Sequence, residues 1–231
     1  MAVRGAGMQR ERIIACEVFK DELLKGLKLP EEKCIFLPQG LHRTPEVLNQ
    51  ELQKQIALLD LEGKTDCIYL GYGLCGNGLA GICSRRSRLV VPNSEDCIPV
   101  LHGLKYAVES EKINRTSSYY LSSGWIAYGS DAWKEYQRCL EIFDHETSYW
   151  CTKEMIKNYQ RFTLINNGMP SYPRDLEYTR KMTEFYGMEY EEVQGSLDWL
   201  HSLFREEKNS LFHVVVEPGE SLQAKMFACV N

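Results

Sequence analysis

The sequence has no apolar run of about 18 residues or more, the length that marks a bilayer-spanning helix, although 44% of its 231 residues are hydrophobic. Its first ten residues also lack the apolar core of a secretory signal peptide. We therefore expect no membrane association and a cytoplasmic location. In that compartment, most of the nine cysteines are expected to be thiols rather than disulfides.

An excess of basic residues is also missing, because the formal net charge is -5 at pH 7. Proteins that bind nucleic acid need cationic side chains to neutralise phosphates. One short basic cluster, residues 85–88, is interpreted as a solvated loop. Nucleic acid is therefore not an expected partner.

The sequence shows no internal repeat and no low-complexity segment, but it does show short apolar runs that alternate with helical patterns. Strands are predicted at 13–16, 34–37, 67–70, 88–92, 118–121 and 212–216. This alternation is typical of an α/β protein with a mostly parallel sheet flanked by helices, of the Rossmann-like or doubly wound type. Residues 131–166 are predicted to be helical, as part of a largely helical C-terminal portion. We expect one domain over residues 1–231, with a second lobe from about residue 126 as the alternative.

A glycine-rich loop follows the third predicted strand, with four glycines within eight residues between Gly71 and Gly78. Glycine allows left-handed conformations and close approach to the backbone, so Gly73 and Gly76 are predicted to contact a cofactor. The order Gly-x-Gly-x-x-Gly also matches the dinucleotide fingerprint. However, it does not follow the first strand, and the glycines after it disfavour a helix. Nucleotide binding is therefore kept as the weaker alternative.

Chemically reactive side chains follow successive predicted strands at the same relative place. Cys16 follows the first strand, His42 lies beyond the second, Cys75 follows the third and Cys97 follows the fourth. The carboxyl ends of parallel strands share one edge of a sheet, where ligands bind. These four residues are therefore predicted to be metal ligands. Trp125, after the fifth strand, is predicted to form a wall of the same site.

Three thiolates and an imidazole suit a tetrahedral zinc, which is the favoured interpretation. Three thiolates alone can hold an iron–sulfur cluster with one open iron position, and this stays open as an alternative. No CxxC-type spacing supports either metal. His102 could replace or supplement His42. The competing explanation is that the cysteines are small buried packing residues.

Five segments carry a resemblance to a known family: residues 15–19, 41–45, 71–77, 96–98 and 119–125. They resemble a family of uncharacterised anaerobe proteins, classed as a domain of unknown function and often described near corrinoid-dependent methyltransferase systems. The resemblance implies that Cys16, Cys75 and Cys97 occupy recurrent cysteine positions, and that His42 belongs to a recurrent Leu-His pair. It also implies a link to one-carbon metabolism.

Three functional hypotheses follow. The first is a metal-binding protein with a cysteine-rich site at the carboxyl edge of the sheet, acting as a methyl- or thiol-transfer enzyme on a small molecule. The second is an accessory protein for a corrinoid methyltransferase system. Because the sequence contains no Asp-x-His-x-x-Gly cobalamin motif, any corrinoid contact would be through a corrinoid protein partner or an unfamiliar site. The third is a nucleotide-dependent enzyme that uses the glycine loop.

Overall fold

The computed structural model describes residues 10–109, 117–205 and 211–227, which form two β-sheets. The larger sheet has the strand order β2-β1-β3-β4-β8. Four strands run parallel, and β8 pairs antiparallel with β4. Their bounds are β1 Glu11–Cys16, β2 Cys34–Leu37, β3 Cys67–Gly71, β4 Arg88–Pro92 and β8 His213–Val216. The prediction of an α/β protein with a mostly parallel sheet is confirmed.

The strand order of this sheet reverses at β1, which lies between β2 and β3. In open parallel sheets, such a reversal leaves a crevice beyond the carboxyl ends of the two central strands. Ala15 pairs with Gly71, and Tyr69 pairs with Val90, so the ends of β1, β3 and β4 are nearly level. The loops that follow these strands therefore start side by side.

The second sheet has the order β5-β6-β7, and all three strands are parallel. The strands are β5 Ser118–Leu121, β6 Arg161–Asn166 and β7 Glu189–Gln194. The prediction of helix through residue 166 is wrong for β6. Its four central residues are all buried, because a middle strand covered on both faces has no polar alternation. Such an apolar run cannot be distinguished from a buried helical segment by its periodicity.

Helices cover both sheets, and the longest is α1 Pro45–Glu62. Proline suits the first position of α1, and Gly63, at φ +65°, ends it in the left-handed region. Within the described ranges, no helix has both the length and the apolar character needed to cross a membrane. The others are α2 Cys97–His102, α3 Leu104–Glu109, α4 Ser123–Tyr128, α5 Ala132–Cys139, α6 His145–Met155, α7 Tyr172–Tyr186 and α8 Asp198–Ser202.

Each sheet has its own hydrophobic core, and the two meet where α4 packs against the turn after β1. A Cβ atom on Gly124 of α4 would lie 1.9 Å from the carbonyl oxygen of Val18. Only glycine allows this backbone approach. The contact holds Trp125, the next residue in α4, against the carboxyl edge of the larger sheet.

A buried carboxyl group, Glu22, lies in the helical turn that follows β1. Glu22 is 0% exposed, and neither carboxylate oxygen has a hydrogen-bond partner on another described residue. Burial, helped by the nearby carboxylates of Asp21 and Asp175, raises the pKa of Glu22 to about 8, although a backbone hydrogen bond and the charge of Lys25 act in the opposite direction. Glu22 is therefore protonated in the folded protein at neutral pH.

Replacing Glu22 with Gln should change how stability depends on pH. The folded state keeps a proton that the unfolded state releases above about pH 4, so wild-type stability falls as pH rises toward 8. We expect the free energy of unfolding of Glu22→Gln to rise relative to wild type by a few kcal/mol between about pH 5 and pH 8. Urea denaturation at several pH values measures this. Exposed Glu62→Gln is the control, and parallel wild-type and Glu22→Gln curves would contradict the expectation.

Candidate functional site

Three buried thiols lie close together at the carboxyl edge of the larger sheet. Cys16, Cys75 and Cys97 are 5%, 9% and 7% exposed. The Sγ atoms of Cys75 and Cys97 are 3.9 Å apart. Hydrogen bonds with Cys16 and Cys75, followed by burial, raise the pKa of the Cys97 thiol well above its usual value. Cys97 therefore lies between the other two thiols.

The loop after β3 is attached directly to the loop after β4, and this attachment positions Cys75. The backbone N–H groups of Leu74 and Cys75 donate to the carbonyl oxygens of Ser94 and Glu95, both at 2.8 Å. A Cβ atom on Gly73 would lie 2.5 Å from the Cα atom of Asp96. The absence of a side chain at Gly73 thus allows the two loops, and their cysteines, to meet.

Replacing Gly73 with Ala should separate the two loops. The added methyl group meets backbone atoms, which cannot move aside as a side chain can. We expect a loss of about 2 kcal/mol or more of unfolding free energy, in the range of overpacked cores. Gly40→Ala is the matched control, because no atom lies within 4 Å of a Cβ added there. Equal stability of the two variants in urea denaturation would contradict the close approach.

Cys75 itself has a strained backbone conformation, with φ at +48°. Left-handed conformations cost a non-glycine residue roughly 1–2 kcal/mol. Gly76 and Asn77 continue the left-handed turn, with φ at +64° and +71°. Glycine would be the less strained choice at position 75, so backbone preference does not account for a cysteine there.

The strain at position 75 can be separated from the role of the thiol. Both Cys75→Gly and Cys75→Ala remove the sulfur, but only Cys75→Gly relieves the left-handed conformation. We expect Cys75→Gly to be more stable than Cys75→Ala by about 1 kcal/mol in chemical denaturation. A Cys75→Ala variant at least as stable as Cys75→Gly would show that the backbone is unstrained.

The thiols line a cavity of about 220 Å³. All four predicted metal ligands, Cys16, His42, Cys75 and Cys97, line it, and so do Gly76 and Trp125. Gly73 is not among the described residues that line the cavity, since it lies behind the wall against Asp96. The remaining lining residues are Val18, Pro38, Gln39, Leu48, Tyr72, Asp96 and Ile98.

His42 lies in the cavity wall with one ring nitrogen already engaged. Its Nδ1 is 2.5 Å from the carbonyl oxygen of Gln39. Because a carbonyl oxygen can only accept, Nδ1 carries the proton and Nε2 keeps its lone pair in the neutral ring. The ring contacts Trp125 edge-on at 5.9 Å. Nε2 of His42 is therefore suited to bind a metal or accept a proton.

The alternative ligand, His102, lies at the far end of α2, away from the cavity. Its ring stacks on Tyr106 at 4.7 Å and meets Tyr120 edge-on at 5.4 Å. It is not among the described residues that line the thiol cavity. This placement favours His42 over His102.

Two further polar residues of the cavity were not predicted from the sequence. The Tyr72 hydroxyl and Gln39 Oε1 are buried, and neither has a hydrogen-bond partner among the described residues. Burial, and then the neighbouring thiols, raise the pKa of Tyr72 well above its usual value. Tyr72 directly follows β3 and Gln39 lies just beyond β2, so both lie near the carboxyl end of a strand. Considering every polar residue at these strand ends, rather than Cys and His alone, would have found them.

Two other features bear on the functional hypotheses. The loop from Cys75 to Gly81 consists of turns, and in this fully described stretch no helix begins. The dinucleotide fingerprint requires a helix N-terminus there, so the loop geometry does not support nucleotide binding.

Within the described ranges, no set of three or more His, Cys, Asp or Glu side chains already has the arrangement of a metal site.

The five other cysteines within the described ranges do not join the cluster. The eight cysteines within the described ranges are all free thiols, and only Cys16, Cys75 and Cys97 line the cavity among them. Cys229 lies outside the described residues.

The fold and the cavity define a class: an α/β protein with one mostly parallel and one parallel sheet, and with three clustered thiols at the carboxyl edge of the larger one. A family model described as "Protein of unknown function (DUF1638)" matches residues 36–204. The chain belongs to this family. The match confirms the predicted resemblance to a domain of unknown function. No curated protein and no solved structure matches the chain.

Proposed function

We propose that this chain is a metal-binding protein in which Cys16, Cys75 and Cys97 hold one metal ion, with zinc favoured. The observation that carries the proposal is the clustering of these three buried thiols in one cavity beyond three parallel strands, with Cys97 next to both of the others. Buried cysteine is common as a packing residue. Packing alone, however, gives no reason for three of them to touch at the edge where ligands bind.

The sulfur spacing favours a single tetrahedral ion over a cluster. Zinc–sulfur bonds of about 2.3 Å place neighbouring sulfurs about 3.8 Å apart in a tetrahedron. The Sγ atoms of Cys75 and Cys97 are 3.9 Å apart. Cysteines that ligate different irons of a cluster lie farther apart, because each binds its own iron. The spacing of this pair is therefore close to that of two sulfur ligands of one tetrahedral zinc.

Metal binding would change both the protonation and the side-chain orientation of the three cysteines. All three must lose their protons, since the thiolate is the ligand. Their side chains must also rotate toward a common centre, because the present arrangement is that of hydrogen-bonded thiols. Three protein ligands leave the fourth position open toward the cavity, as in catalytic zinc sites. His42 Nε2 either takes this position or acts as acid or base beside it.

An ion with an open position supplies Lewis-acid chemistry to a small molecule in the cavity. The walls formed by Val18, Leu48, Ile98 and Trp125 are apolar, so they exclude water and strengthen electrostatic interactions within. A bound thiol would lose its proton there and become a nucleophile, which is the chemistry of methyl or thiol transfer. A role in one-carbon or corrinoid metabolism, with a corrinoid protein as partner, comes from the resemblance alone.

Metal content and cobalt substitution test the proposal. We expect anaerobically purified protein to hold about one zinc per chain. Cobalt(II) should give a thiolate charge-transfer band that Cys16→Ser, Cys75→Ser and Cys97→Ser each weaken. Metal affinity should fall by about 100-fold or more in these variants, since even the loss of an outer partner costs about 10- to 100-fold. Cys34→Ser is the control, because Cys34 does not line the cavity among the described residues.

The outcomes separate the alternatives. Less than about 0.2 metal per chain, unchanged by Cys75→Ser, would contradict the proposal for a site expected to be nearly stoichiometric. If the protein contains iron and shows a broad absorption band at about 400 nm, the site is an iron–sulfur cluster on the same cysteines rather than a zinc site. A corrinoid partner that binds equally well without the three cysteines would favour the accessory role.

A further inference from the structure

A second cavity of about 290 Å³ adjoins the thiol cavity. Both cavities are lined by Gln39, His42, Ile98 and Trp125. These shared residues form the boundary at which the two cavities adjoin, here called the passage. The thiol cavity is mostly apolar, whereas the outer cavity is more polar. Its other lining residues are Arg43, Ser118, Tyr119, Tyr120, Ser130 and Tyr159.

The passage contains an acceptor that the protein leaves unpaired. Gln39 is 3% exposed, and its Oε1 atom has no hydrogen-bond partner among the described residues. A buried unpaired polar atom costs roughly 1–3 kcal/mol. A ligand that crosses the passage and carries an N–H or O–H group there would remove this cost.

The thiol cavity, at the inner end of the site, contains a hydroxyl group without a partner among the described residues. Tyr72 is 2% exposed, and its hydroxyl has no partner among the described residues. It lines the thiol cavity beside the cysteines. A ligand sulfur or oxygen at the open metal position could accept its hydrogen bond. The two unpaired groups therefore mark one path from the thiols toward the outer cavity.

Arg43 is the arginine among the described residues that line the outer cavity, and some of its N–H donors are not engaged by its two contacts. Arg43 donates to the Ser130 carbonyl oxygen at 3.4 Å and lies 3.6 Å from Glu135 Oε1. Glu135 already accepts from the Ser130 hydroxyl and pairs with Arg138. A guanidinium group has five N–H donors. Arg43 can therefore also bind an anionic group with charge-assisted hydrogen bonds.

We propose that the ligand of this site is a mercapto acid that also carries an amino or similar donor group. Its thiol binds the open metal position beside Tyr72, its donor faces Gln39 in the passage, and its anionic end binds Arg43. The thiol end rests on the proposed function, because soft ligands such as sulfur suit a thiolate-bound zinc. The anionic end of the ligand is inferred from Arg43 alone, and its donor group is inferred from Gln39 alone.

Thiol binding to the cobalt-loaded protein tests the anionic end. The probes are 4-mercaptobutyrate and its neutral analogue 4-mercapto-1-butanol, and the change in the cobalt spectrum gives each affinity. We expect wild-type protein to prefer the acid by about tenfold or more, the value of a charge-assisted hydrogen bond. Arg43→Gln should remove this preference, whereas the control Arg85→Gln, in a separate surface loop, should keep it.

The donor is tested with a second pair of probes. Homocysteine differs from 4-mercaptobutyrate only by its amino group. We expect wild-type protein to prefer homocysteine by about fivefold or more, the value of one hydrogen bond. Gln39→Leu should remove this preference while keeping the preference of the acid over the alcohol.

The results distinguish failure of this inference from failure of the metal site. A normal cobalt–thiolate band with equal affinities for acid and alcohol would overturn the anionic end. An unchanged preference in Arg43→Gln would do the same. Equal affinities for homocysteine and 4-mercaptobutyrate would overturn the donor assignment. Absence of the cobalt–thiolate band before any probe is added would overturn the metal site, and with it the thiol end of the ligand.

Discussion

The parallel pairing of β1, β3 and β4 is the constraint on which the site depends. These strands end nearly level, and a cysteine lies at or beyond each end: Cys16 ends β1, Cys75 lies in the loop after β3 and Cys97 begins the helix after β4. A slip of one residue in β1 would turn Cys16 to the opposite face of the sheet. The buried apolar faces of the strands hold the register, so the hydrophobic core determines whether the thiols can meet.

The second sheet completes the site from the opposite side. Its first helix, α4, rests on the Val18 carbonyl through Gly124 and places Trp125 over the thiols. The outer cavity is lined by Ser118, Tyr119 and Tyr120 of β5 together with Arg43 beyond β2. The inner end of the site therefore belongs mainly to the larger sheet, and the outer end belongs to both. The buried thiols therefore lie at the inner end, and the more polar lining lies at the outer end.

Much of this arrangement could be predicted from the sequence, because one rule of parallel sheets places most of the site residues. Residues that follow parallel strands share an edge, and Cys16, His42, Cys75, Cys97 and Trp125 do line one cavity. The rule could not separate Gly76, which lines the cavity, from Gly73, whose role is to let two backbones approach. It also could not identify β6, because a strand buried on both faces lacks alternation. Arg43 and Gln39 could not be identified from the strand pattern, because the outer cavity that they line is completed by residues of the second sheet.

Several local costs coincide at the thiol cavity, and this coincidence argues against packing as the purpose of the cysteines. Cys75 has a left-handed backbone, which costs roughly 1–2 kcal/mol. Tyr72 and Gln39 bury unpaired polar atoms, at roughly 1–3 kcal/mol each. Departures from local rules concentrate at functional sites, where a bound group offsets them. The proposed metal would give Cys75 a reason to keep its left-handed backbone, and the proposed ligand would give Tyr72 and Gln39 hydrogen-bond partners. A well-packed apolar core would have no reason to keep these costs.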